Sequence, residues 1–120
     1  MSGLTLIILT ADSLRFHGAI TMAAAHAATG GKTRIHCHAP ALPLLIPPHA
    51  APTDAIHRKN GVPTLAQIIE DALSLGVSFT YCQTGLPLNG LVASQLMADC
   101  EASGPIALFG DLDDDRLIMI

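Results

Sequence analysis

Of the three cysteines in the chain, Cys37, Cys82 and Cys100, it is Cys82 whose setting suits chemistry. It closes the short apolar run "SFTYC" and is followed by "QTGLPLNG", a stretch of small, polar and turn-forming residues. A strand that ends there delivers its thiol to a loop, and in open α/β sheets the ligand crevice lies beyond the carboxyl ends of the strands. A helix beginning soon afterwards would turn free amides and its dipole toward the sulfur and favour the thiolate, the form that attacks sulfur donors. The competing reading is a small buried hydrophobe, because free cysteine is among the most buried residue types.

The run "RIHCH" is the second candidate. His36 and His38 share one face of a strand and offer imidazoles to a metal or to a nearby thiolate, while Cys37 points to the opposite face and reads as core. No carboxylate or cysteine stands at a characteristic ligand spacing, and two side chains are too few for a closed zinc site. The plainer reading is a pair of strand-end histidines at the surface or in a pocket. Arg15 and His17 follow the first strand and could hold an anion at a helix start, against the simpler account of solvated helix residues. His26, His49 and His57 have no partner that the sequence names, and the exposure of Cys100 depends on whether a strand forms around it. "DLDDD", Asp111 to Asp115, lacks the glycine and distal glutamate of a calcium loop and reads as a solvated turn. There is no phosphate-cradling glycine loop, no Gly-x-Ser-x-Gly elbow and no CxxC pair, so no metal or cofactor is called for.

The elements that must position these residues alternate. Leu4 to Thr10 is an apolar run of strand length, and Asp12 and Ser13 supply caps for a helix from about Leu14 to Thr29 that the Gly30–Gly31 pair stops. Thr33 to His38 predicts a second strand. From Ala39 to Gly61 the five prolines Pro40, Pro43, Pro47, Pro48 and Pro52 remove amide donors. This segment is expected to be irregular and the least ordered in the chain, with at most a turn or two of helix around Leu42 to Ile46. "VPTLAQIIEDALSLG" has helical spacing, Val77 to Tyr81 reads as a third strand, Leu86 to about Leu96 contains a further helix, and Arg116 to Ile120 reads as the last strand. Such alternation favours an α/β layered domain with a mainly parallel sheet, in which the first three strands are neighbours.

The chain has 120 residues, half of them hydrophobic but only 3% aromatic. That length suits one domain spanning 1–120, with a core built from Ala, Leu, Ile and Val. A formal charge of -4 and six scattered Lys and Arg leave no footprint for nucleic acid or an anionic membrane. "LTLIILT" lacks the basic flank and length of a signal peptide, and an odd number of cysteines without tight spacing suits the reducing cytoplasm.

The opening "LTLIILT" with its alanine-rich helix, the amphipathic helix running into "LGV", the cysteine closing "SFTYC", the following "GL" and the terminal "DRLIMI" together resemble the DsrE/DsrF-like family, which includes the TusD type of sulfur-relay protein. The resemblance covers nearly the whole chain. It implies a three-layer α/β/α sandwich with a mostly parallel five-stranded sheet, a short fourth strand near Asp99 to Ser103, a small helix through Pro105 to Gly110, and assembly into homotrimers or homohexamers. It also implies that Cys82 accepts sulfur as a persulfide from a donor protein and passes it to an acceptor protein. With the second strand beside the third, His36 and His38 would lie near Cys82 as modulators. Two competitors stand beside a sulfur carrier or sulfurtransferase: an oligomeric, non-enzymatic binding module with an inert Cys82, and a metal-binding protein using His36 and His38.

Overall fold

Strands and helices alternate along residues 2–120, the part of the chain that the computed structural model describes. Strand β1 (Leu4–Ile8) leads into helix α1 (Ser13–Ala28), and the Asp12 carboxylate accepts the Leu14 and Arg15 amides, both at 3.0 Å. Those amides would otherwise have no partner inside the helix. After β2 (Thr33–Cys37) come a 3-10 helix (Ala39–Leu45), α2 (Asp54–Lys59) and α3 (Leu65–Ser74). Helix α3 opens on a capping box, in which Thr64 Oγ1 accepts the Gln67 amide at 3.3 Å and Gln67 Oε1 accepts the Thr64 amide at 2.9 Å. The chain closes with β3 (Ser78–Tyr81), α4 (Gly85–Leu88), a 3-10 turn (Ala93–Gln95), β4 (Cys100–Ala102), α5 (Pro105–Gly110) and β5 (Arg116–Met119).

All five strands join one parallel sheet in the order β4-β3-β2-β1-β5. The first three strands are therefore parallel neighbours, with Ile35 opposite Leu6 on one side and Phe79 on the other. Helices α1 and α3 cover one face and the small α5 the other, which gives the three-layer α/β/α arrangement. The covered core is built from Leu6, Ile8, Ile35, Cys37 and Phe79 on the strands, packed with Phe16, Ile20, Ala23, Ile68, Ile69 and Ala72 on the helices. Each large apolar side chain enclosed there contributes about 1.5–3 kcal/mol.

One expectation is refined and another needs correction. The helix expected within Leu86 to Leu96 is present but short, stopping at Leu88, because Asn89 caps it and Gly90 turns the backbone to φ +63°. The segment Ala39 to Gly61 is not an irregular loop, since it holds the 3-10 helix of seven residues and the six-residue α2. Pro40 and Pro43 are tolerated in the 3-10 helix because its amide bonds fall elsewhere, from Ala41 to His38 at 2.8 Å and from Ile46 to Pro43 at 3.3 Å. Ala41, Leu42 and Leu45 are fully buried. The Asp54 carboxylate ties the segment down, accepting the amides of Ala51 and Leu65 at 3.0 Å each. These two bonds hold the Asp54 carboxyl below its ordinary pKa.

Candidate functional site

The carboxyl end of β3 delivers Cys82 one residue beyond the Cys37–Tyr81 pairing, and its amide still donates to the Cys37 carbonyl at 3.2 Å. Cys82 is 5% exposed, yet it lies outside the apolar cluster that encloses Cys37. Its Sγ is 3.0 Å from Thr84 Oγ1, a hydroxyl able to donate to a thiolate. The expected helix start does not supply this role. Helix α4 has four residues, too few for an appreciable dipole, and its first amide, that of Gly85, already bonds the Cys82 carbonyl at 3.0 Å.

The loop that follows Cys82 is fastened to the proline-rich segment by two residues whose importance the sequence did not reveal. Asn89 Nδ2 donates to the carbonyls of Ala39 and Gly85, both at 2.7 Å. Gly85 packs so closely that a Cβ there would lie 2.8 Å from Ala39 Cα and from Leu42 Cδ2. The dipeptide Asn89-Gly90 was readable as a turn, but a turn signal does not disclose which distant carbonyl its amide will clamp. Thr84, two residues past the cysteine, carried no signal of its own.

His36 and His38 stand on one face of β2, as their spacing requires, and line a pocket of about 210 Å³ with Ile7, Leu9, Leu108 and Phe109. His36 is buried, with Nδ1 joined to Thr80 Oγ1 at 2.8 Å, whereas His38 is exposed. Burial, with the charges of His38 and Arg34 adding to it, lowers the His36 pKa to about 4. The ring is therefore neutral near pH 7 and is not a cationic partner for a thiolate. Cys82 does not line this pocket, and among the described residues no group of three or more His, Cys, Asp or Glu side chains could hold a metal.

Arg15 and His17 do not reach Cys82. Arg15 is exposed beside the apolar groove between α1 and β5, and β5 lies on the side of β1 away from β2 and β3. His17 is buried with its Nε2–H donating to the Pro63 carbonyl at 2.8 Å, and its ring stacks on His57 with centroids 4.2 Å apart. It ties α1 to the start of α3, which is a packing role. His26, unassigned from sequence, bonds Thr33 Oγ1 at 2.7 Å.

The other two thiols are placed for structure. Cys37 is wholly enclosed, and burial raises its pKa strongly. Cys100 is half-buried at the start of β4; its Sγ donates to the Met97 carbonyl at 3.1 Å, and burial with the charge of Asp99 raises its pKa.

No family model matches the chain, and no curated protein matches it. Among the solved structures that match are two that do so over 100% of both chains. They are the YchN protein from E. coli, with a TM-score of 0.77 at 13% identity, and MTH1491, a protein of unknown function from Methanobacterium thermoautotrophicum, with a TM-score of 0.73 at 12% identity. At that identity the likeness is one of fold, and function has to be argued from the site.

Proposed function

We propose that the protein is a sulfur carrier or sulfurtransferase whose sulfur-accepting group is Cys82. The observation that carries this reading is the contrast among the thiols: Cys82 alone ends a central strand outside the apolar cluster with a hydroxyl, that of Thr84, 3.0 Å from its sulfur. The resemblance of "SFTYC" and the surrounding elements to the DsrE/DsrF-like family supports it, and the full-length likeness in fold to YchN is consistent with it. In the reaction, the Cys82 thiolate attacks the outer sulfur of a donor persulfide. A bond forms between Cys82 Sγ and that sulfur, the donor's own S–S bond breaks, and the donor leaves as a thiolate. The acceptor's thiolate then attacks the same outer sulfur and Cys82 departs as the thiolate. No external oxidant or reductant enters. With Cys82 only 5% exposed, its sulfur meets a protein donor only when the structure around it opens.

Assembly belongs to the same proposal. Ile106, Phe109 and Met119, on α5 and β5, are 50–91% exposed and offer apolar surface suited to contacts between copies in a homotrimer or homohexamer. Light scattering at micromolar concentration tests this, and a monomer alone contradicts it.

The functional test is to incubate the protein with glutathione persulfide, remove the donor and chase with a small thiol. Sulfur is expected to load onto the wild type, to leave during the chase, and not to load onto Cys82→Ser. The burial of Cys82 favours a second reading, an oligomeric binding module with an inert thiol. Equal loading of both proteins, or of neither, supports that reading instead.

A further inference from the structure

Arg34 occupies β2, the middle strand of a parallel sheet, where both faces are ordinarily apolar. It is 8% exposed, and among the described residues it has no ion pair. Its contacts are long ones: Nε and Nη2 to Thr5 Oγ1 at 3.4 Å and Nη2 to the Leu108 carbonyl at 3.5 Å. A guanidinium has five N–H donors and a permanent charge, and burying it without a counter-charge is costly. An apolar residue of the same size would cover this face with no such cost.

The side chain lines a cleft of about 640 Å³, the size of a small-molecule site. Lys32 and Ser78 line it as well, and so do the acidic residues Asp99 and Glu101, just before β4 and within it, and Asp111, at the end of α5. None of these acids comes within ion-pair distance of Arg34. The cleft therefore holds separated charges of both signs. A simple anion meets repulsion from the carboxylates, and a simple cation meets it from Arg34 and Lys32. A molecule with both signs held apart satisfies both sets.

We propose that this cleft binds a small zwitterion of the α-amino carboxylate class, a free amino acid or short peptide. Its carboxylate takes the planar fork of Arg34, which suits bidentate recognition, and its ammonium lies among Asp99, Glu101 and Asp111. Cys82 does not line the cleft, so the site is separate from the sulfur-accepting one.

The test titrates the protein, followed by NMR, with diglycine, with N-acetylglycine as the anion-only analogue and with glycinamide as the cation-only analogue. Diglycine is expected to bind at least about tenfold tighter than either analogue. Glu101→Gln, at an exposed position, is expected to weaken diglycine several-fold and leave N-acetylglycine unchanged. Arg34→Met is expected to abolish binding of both, with circular dichroism confirming that it folds. Equal binding of all three probes, or no saturable shift at millimolar concentration, overturns the proposal. So does an oligomer in which a second copy covers Lys32 and Arg34 and excludes every probe.

Discussion

The two faces of the sheet are made by alternate residues of the same strands, and they are opposites. On the α1 and α3 side Leu6, Ile8, Ile35, Cys37 and Phe79 form a dry apolar layer, whereas on the α5 side Thr5, Arg34, His36 and Thr80 are buried polar groups. The first face supplies the stability that allows the second to keep groups that cost stability. The same alternation separates two thiols joined by one backbone hydrogen bond: Cys37 is sealed in the apolar layer, and Cys82 stands at its edge beside Thr84.

The largest expected effect contrasts the faces directly. Phe79→Ala should cost about 3–5 kcal/mol in urea unfolding, the loss typical of a large buried side chain. Arg34→Met should be neutral or stabilising, because an apolar replacement removes an unpaired buried charge. Similar losses for both substitutions would break the comparison. Next, Gly85→Ala drives a methyl group into Ala39 Cα, so it should cost about 1–3 kcal/mol and slow the loading of Cys82 by shifting its loop. Unchanged stability and loading would show that the loop is not fastened to the 3-10 helix as described. Asn89→Ala removes both clamping hydrogen bonds and should cost about 1–2 kcal/mol by the same measurement.

A further effect is graded with pH. Burial holds His36, with a pKa near 4, and His49 below the ordinary value of 6.5. In the unfolded chain both rings take up protons as pH falls through 6.5, while folded His36 takes one up only near pH 4. The unfolded state then binds more protons, so stability is complete above pH 6.5 and declines as pH falls toward 4. Each ring contributes a slope of at most about 1.4 kcal/mol per pH unit. His36→Leu should reduce the slope and leave the share of His49. An unaltered slope in that variant would contradict the account of the polar face.

Strands β1, β2, β3 and β5 were legible because each is a short apolar or alternating run, with Asp12 before α1 and Gly76 after α3 marking the helices between them, whereas β4 was implied only by the family resemblance. The separation of Cys37 from His36 and His38 followed from strand alternation alone. Local pattern failed where distant contacts decide. The prolines allowed only a turn or two of helix around Leu42 to Ile46 and gave no sign that Leu42 and Leu45 are buried in the core or that Ala39 is bonded to the loop after Cys82. Arg15 and His17 share a helix start with the capping Asp12, but helical rotation sends one toward β5 and the other onto Pro63 and His57. The residue after next along the loop, Thr84, became the partner of Cys82 only through the backbone turn that folds it back.

The most direct test of the central claim lets the three thiols compete within one molecule. The folded protein is exposed to a limiting amount of glutathione persulfide, its remaining thiols are blocked, and each cysteine peptide is weighed by mass spectrometry. The account predicts one added sulfur on the Cys82 peptide and none on those of Cys37 and Cys100. Sulfur on Cys37 or Cys100, or a Cys82 peptide that stays unmodified in the folded protein, would contradict it.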